Sequence, residues 1–440
     1  MALILFLEKY SEILNPILIH LVWAAPIAVG AGIASSSYLF GLRLSEKKII
    51  WFVMAAALGQ LTGVIGLLFR FLIFGPQVFR FNDWFSLPHY QFRVVYVIDG
   101  ISGPLLLLTA VIGLLIIKFS RTYLHRDEGF LRFFVMTSCT LGGMGLVLMA
   151  GTLDMLIAGW ELVGLSSALL IAFFHRRKTP VTNALGAFAT YRICDVGLIA
   201  AAVITHHGVT SAEINHLQEL SYSEMVWVGF ALLIAAAGKS ALWPASGWFP
   251  RAMEGPTPSS ALFYGGLSVH AGSYLLLRAS SLYELLPSLR IVVISIGVLT
   301  AFHGWASHRV QADAKNKLAL ATMTQVGVLT SVIGLGWPSL AVALICGHTG
   351  LRIYQFLRTP NLLHDEHLVH SAVGEHKNLN KQSDRFSRFN RILYNYGFAF
   401  GYLNEVMERM VVKPVTNWSK WADALEVKAA FRIGSSVKKI

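Results

Sequence analysis

The chain has 440 residues, 55% of them hydrophobic and 14% charged, with a mean hydropathy of +0.58. Soluble domains carry about 25% charged residues, so this composition excludes an ordinary soluble enzyme and points to a membrane protein. The formal net charge of +12 sits in short connections and a basic tail, which is the pattern of cytoplasmic flanks rather than of a nucleic-acid surface.

Apolar runs recur at 16–42, 49–75, 101–120, 131–151, 155–174, 184–205, 225–243, 260–279, 291–306, 318–335 and 340–357. A helix needs about 20 such residues to cross a bilayer. The runs therefore predict an all-α polytopic membrane protein with about eleven transmembrane helices. No short apolar core with a small-residue cleavage site opens the chain, so no cleavable leader is expected. The connections 43–48, 118–132, 175–178 and 309–317 are basic, whereas 206–224 holds no Lys or Arg. Under the positive-inside rule this predicts an outer N-terminus and a cytoplasmic C-terminus.

Pro244, Pro250, Pro256 and Pro258 interrupt the pattern just after Lys239. Irregular backbone at membrane depth survives only where protein buries it or a hydrated cavity takes it up. A broken helix is expected there. Beyond 357 the chain changes character. Residues 377–391 are polar and basic; 398–412 mix apolar and charged residues, with Leu403, Val406, Met407 and Met410 on one helical face. Trp418 and Trp421 follow. This predicts an amphipathic surface or docking helix. Three parts result: N-terminal transmembrane helices (1–98), a conducting core (99–357) and a cytoplasmic tail that docks a partner (358–440).

The charges inside the apolar runs are the candidates for function. An ionisable group at the bilayer centre costs about 2.5–3.5 kcal/mol on insertion scales and is rarely idle. Glu161 and Lys239 stand alone in two such runs. As a pair they stay charged; apart, their proton affinities move toward neutral pH. A static ion pair that sets helix register is the competing reading. Arg192 and Asp195 are three apart and share a face, which suits either a local ion pair or a transport role. His348 and Arg352 are four apart, and a histidine there can relay protons near neutral pH. His270 and His303 are weaker candidates of the same kind. Asp313, Lys315 and Lys317 lie where a loop meets a helix. His364-Asp365-Glu366-His367, with His370, has a metal-ligand composition without an established zinc spacing. Cys139, Cys194 and Cys346 lie in apolar runs and read as packing. No phosphate loop, nucleophile elbow or haem motif appears, so neither a catalytic site nor a cofactor is expected in this chain.

Several stretches resemble the antiporter-like subunits of respiratory complex I and the Mrp cation/proton antiporters. They are Gly159-Trp160-Glu161-Leu162-Val163-Gly164-Leu165-Ser166-Ser167, Arg192-Ile193-Cys194-Asp195-Val196, Gly238-Lys239-Ser240-Ala241, and Ala252-Met253-Glu254-Gly255-Pro256-Thr257-Pro258 with its continuation to Leu262. Asp313-Ala314-Lys315-Asn316-Lys317 and Thr322-Met323-Thr324-Gln325-Val326-Gly327 follow in the family's order. The resemblance implies two inverted helical repeats with broken helices, the second repeat truncated here. It makes Glu161 and Lys239 an interacting switching pair, and Lys315, His348 and Arg352 basic or relay positions. Tyr264 stands where the family has a histidine. The stretch Arg358-Thr359-Pro360-Asn361-Leu362-Leu363-His364-Asp365 and the tail are similar to the membrane subunit of DAB-type inorganic-carbon accumulation complexes. That resemblance implies a large cytoplasmic partner with a zinc, carbonic-anhydrase-like site, in a bacterial inner membrane. The alternatives are a proton- or sodium-translocating subunit of a respiratory or hydrogenase complex, and a non-conducting anchor for a soluble enzyme.

Overall fold

A computed structural model describes residues 10–87, 90–209, 211–359, 388–403, 405, 409–410 and 413–437. The membrane part begins with α1 (Ser11–Tyr38) and α2 (Glu46–Phe74). It continues through α3 (Ser102–Tyr123), α4 (Phe130–Met149), α5 (Leu153–Ile171) and α6 (Lys178–Val209). Next comes α7 (Tyr222–Lys239), then a broken region, α8 (Thr257–Ser260) and α9 (Ser268–Arg278). After the short α10 (Ser280–Leu285) come α11 (Pro287–His308), α12 (Ala314–Gly334) and α13 (Pro338–Arg358).

Among the described residues, nine helices are long and apolar enough to cross a membrane. The two remaining runs of the expected eleven, 225–243 and 260–279, are the interrupted ones. α7 stops at Lys239, and 3₁₀ turns at Ala245–Trp248 and Pro250–Glu254 follow. The second run winds as α8, a π-helical segment Ala261–Gly266, and α9. The prolines explain the break, since each lacks an N–H for a helical ladder. The freed groups find partners: Trp248 Nε1 donates to Gly238 O at 3.1 Å, and Trp243 N donates to Thr300 Oγ1 at 2.9 Å.

Helix starts follow local chemistry. Thr152 caps α5 and Asp313 caps α12 through their side chains, and Ser221 with Glu224 forms a capping box on α7, each satisfying N–H groups a helix leaves open. Small residues set close crossings. A Cβ at Gly327 would lie 2.3 Å from Ala301 N, so α11 and α12 meet nearly backbone to backbone. Gln60 donates to Val22 O at 2.8 Å and Leu141 O at 3.0 Å, tying α2 to α1 and α4 inside the apolar core. Apolar residues left exposed, such as Leu107, Val111 and Leu115 on one side of α3, belong against lipid.

Residues 76–98 are not helical. β1 (Gln77–Arg80) pairs antiparallel with β4 (Val95–Ile98), and β2 (Phe85–Leu87) with β3 (Tyr90–Phe92). These apolar runs are too short for a helix and alternate, which suits strands. They form a cap on one end of the helices. Glu213, in the 206–224 connection, accepts from Arg80 at 3.0 Å and Arg93 at 3.1 Å, clamping this connection to the cap. The opposite end carries the basic connections.

The tail departs from expectation. A helix α14 (Arg388–Phe398) precedes the stretch read as amphipathic, and α15 (Lys413–Val437) follows it. Gly401, at φ +58°, turns the chain between them. α14 packs on α11: Tyr396 OH bonds His303 Nδ1 at 2.9 Å, and Phe400 meets the His303 ring at 4.5 Å. Val406 and Met407 of the predicted face, and the His364–His370 cluster, lie outside the described residues.

Candidate ion path

The charged residues of α5, α6 and α7 converge. Trp160 and Glu161 are neighbours on α5; Arg192 and Asp195 lie one turn apart on α6; Lys239 is the last residue of α7. Asp195 is buried and accepts from Trp160 Nε1 and, at 2.7 Å, from Arg192. Arg192 also holds Glu161 in an ion pair. The expected Glu161–Lys239 contact is not made. Glu161 pairs instead with Arg192, whose five donors serve both carboxylates at once.

Lys239 is 1% exposed, and its ammonium has no hydrogen-bond partner. It lies over the faces of Tyr191, at 4.7 Å, and Trp160, at 5.1 Å. Aromatic faces attract a cation but replace few of the hydrogen bonds water gave it. Its place at a helix C-terminus adds favourable dipole charge. Space for it comes from Gly164, where a Cβ would lie 2.4 Å from Lys239 Nζ and 3.5 Å from an Arg192 nitrogen. Both cations thus border one point on α5. Tyr264, in the π segment, bonds Ser167 Oγ at 3.0 Å, and Ser167 approaches Tyr191 OH at 3.4 Å. Three hydroxyls thus line this side of the site.

A second group lies between α9 and α13. Arg352 Nε donates to His348 Nε2 at 3.1 Å, and His348 Nδ1 lies 3.2 Å from His270 Nε2. Arg352 also donates to Gln355 at 2.8 Å. Lys315 stands apart, at the basic end, donating to Gly255 O at 3.4 Å beside the broken region. His303 is occupied by the tail helix. Sequence reasoning missed Trp160, Tyr191 and Ser167, which are ordinary core residues until the fold sets them around Lys239. The sequence signal for His270 is that His270, Tyr274 and Arg278 repeat every fourth residue along α9 and so share one face.

Interrupted helices around a buried line of charges define a polytopic, antiporter-like membrane subunit. Residues 150–400 match the family described as "NADH:quinone oxidoreductase/Mrp antiporter, TM", and the chain belongs to it. Residues 84–134 match "NADH-Ubiquinone oxidoreductase (complex I), chain 5 N-terminus". The chain is 31% identical over 366 residues to the chloroplastic NAD(P)H-quinone oxidoreductase subunit 5 of Physcomitrium patens, covering 77% of this chain and 49% of the relative. It is 30% identical over 336 residues to NADH-quinone oxidoreductase subunit L of Campylobacter jejuni, covering 74% and 55%. It therefore spans about half the length of these relatives. Two solved structures share the fold. A chain of the Mrp complex from Dietzia sp. superimposes with a TM-score of 0.64 at 23% identity, covering 75% of this chain and 36% of that one. A chain of an archaeal membrane-bound sulfane sulfur reductase does so with 0.66 at 16% identity, covering 89% and 81%.

Proposed function

We propose that this chain translocates a cation, the proton in the simplest case, as the membrane subunit of a larger energy-coupling complex. The observation that carries this reading is the unpartnered, buried Lys239 ammonium beside a closed Glu161–Arg192–Asp195 cluster. That is one state of a two-state switch. When Glu161 leaves Arg192 and reaches toward Lys239, the ammonium gains a counter-charge; when it returns to Arg192, the ammonium is left without one. Asp195 helps by holding Arg192, which biases its neighbours without titrating. His348 acts as a relay further along, Arg352 beside it as a fixed charge, and Lys315 as a basic position at the far end.

The names of the similar proteins favour a subunit of a respiratory, quinone- or sulfur-linked complex over the other readings. The inorganic-carbon reading rests on the resemblance of residues 358–365 and the tail. In it, the cation flow drives one-way CO2 hydration in a large cytoplasmic partner with a zinc site. The scale is adequate, since one charge crossing ~150 mV supplies ~3.5 kcal/mol, a several-hundred-fold concentration ratio. The basic end faces the cytoplasm in either case.

Purification of the chain with its native partners, reconstitution in vesicles and a pH-sensitive dye test the reading. Glu161→Gln and Lys239→Ala should abolish proton flux while the protein inserts and keeps its partners. Wild-type flux in either variant supports the non-conducting anchor instead. The co-purified partner separates the two finer readings: iron–sulfur or quinone-site proteins favour the first, a large zinc protein the second.

A further inference from the structure

The hydrogen bonds between α9 and α13 have a direction. Arg352 Nε can only donate, so His348 Nε2 accepts and a neutral His348 carries its proton on Nδ1. That proton goes to His270 Nε2. A neutral His270 therefore carries its own proton on Nδ1, and this nitrogen is buried without a hydrogen-bond partner on a residue only 5% exposed. A buried donor left open costs about 1–3 kcal/mol unless something takes its bond.

Something can. His270 lines a mainly apolar cavity of about 20 Å³, walled by Leu105, Leu108 and Ile345, in which Thr109, Tyr274 and Thr349 supply the other polar groups; it has room for about one water. On its other side Tyr274 OH donates to Leu148 O at 2.7 Å and accepts from Arg278 Nε at 2.7 Å. Arg278 in turn holds Asp99 at 2.5 Å, and Asp99 opens α3 at the strand-capped end. His270, Tyr274 and Arg278 repeat every fourth residue on α9, so the line rises about 12 Å along one face.

We propose that His348, His270 and the cavity form a proton branch from the membrane interior to the strand-capped face, ending at Asp99. The branch rests on the translocation reading above and gives that reading an exit. Arg352 covers its inner mouth and Arg278 its outer one. When Arg352 moves off, a proton binds His348 Nε2. The Nδ1 proton of His348 passes to His270 Nε2, and the Nδ1 proton of His270 passes to a water seated in the cavity. When Arg278 swings off Asp99, water follows it in and carries that extra proton to the freed Asp99 carboxylate. One proton enters and one leaves; only N–H and O–H bonds form and break, and both rings turn over to reset. The guanidinium of Arg278 repels the leaving proton until it shifts, and the Asp99 carboxylate attracts it.

The test uses the complex in vesicles, with the acidic side set at the strand-capped face and then reversed. His270→Phe removes the relay. Thr109→Ile replaces the hydroxyl, which bonds Leu105 O, with a larger ethyl group that fills the cavity, and it leaves both histidines in place, so it decides the matter if His270→Phe does not accumulate. Each should lower proton flux about tenfold or more while partner stoichiometry and the melting midpoint stay as in wild type. A folded variant of either kind that conducts at the wild-type rate overturns the branch. If the wild-type complex carries no proton flux, the translocation reading fails and the branch with it; if wild type conducts and the variants match it, only the branch fails.

Discussion

At the scale of single residues, position rather than identity makes Lys239 unusual. Many lysines flank membrane helices and snorkel to water. This one ends α7 deep inside, and Gly164 makes the hole it fills. A Gly164→Ala change puts a methyl 2.4 Å from the ammonium. The ammonium is the free end of a flexible side chain, so it shifts and the fold survives. We expect flux to fall roughly tenfold to a hundredfold, the scale of a misplaced reacting group, with the melting midpoint nearly unchanged. Flux at the wild-type rate would show that the ammonium's place is immaterial. Glu161, Lys239, Arg192 and Asp195 were legible in the sequence because a charge in an apolar run is conspicuous. Their pairing was not. Which carboxylate meets which cation depends on how α5, α6 and α7 turn toward one another, and periodicity does not give the rotation of one helix against the next.

At the scale of elements, most helices were legible from apolar run length, and the break after Lys239 from its prolines. The strands and the tail were not. Residues 76–98 hold short alternating runs that a search for spans passes over, and α14 owes its place to Tyr396 and Gly397 meeting α11 rather than to its own pattern. A Cβ at Gly397 would lie 2.7 Å from Ala306 O. The strand cap depends on Glu213. Burial works to raise its carboxyl, but the Arg93 and Arg80 guanidiniums outweigh burial and hold it below its usual value. A carboxylate with a depressed folded value adds stability that is present above its unfolded value of about 4.3 and is lost as pH falls through the folded one. The cap should therefore loosen below about pH 4.3. Glu213→Gln should cost about 1–3 kcal/mol at neutral pH, the scale of charge-assisted hydrogen bonds, and should remove this part of the acid sensitivity. Thermal melts at pH 7 and at a pH well below 4 check both. An unchanged midpoint at pH 7 would mean that the strands hold without the clamp.

At the scale of the whole molecule, the path needs a device that moves it. On the reading proposed above, the push that takes Glu161 from Arg192 is a neighbour's difference in affinity for the two states. We expect α15, in the described part of the tail, to hold such a neighbour. On α15, Trp418 is 70% exposed and Trp421 57% exposed, with Val415 and Leu425 open near them. Large aromatics of this kind commonly carry the binding energy of an interface. α14 belongs to the membrane part, since it covers His303 on α11, so a cut made before it would damage the core as well as the docking arm. A cut that removes 413–440 separates the two. We expect the truncated chain to insert and to melt near the wild-type midpoint, because α1–α14 keep their packing, but to lose its partner during tagged co-purification. Proton flux in the truncated protein should then lose its dependence on the partner's reaction. Stoichiometric partner on the truncated chain would limit α15 to a membrane anchor and move docking to the connections at the basic end.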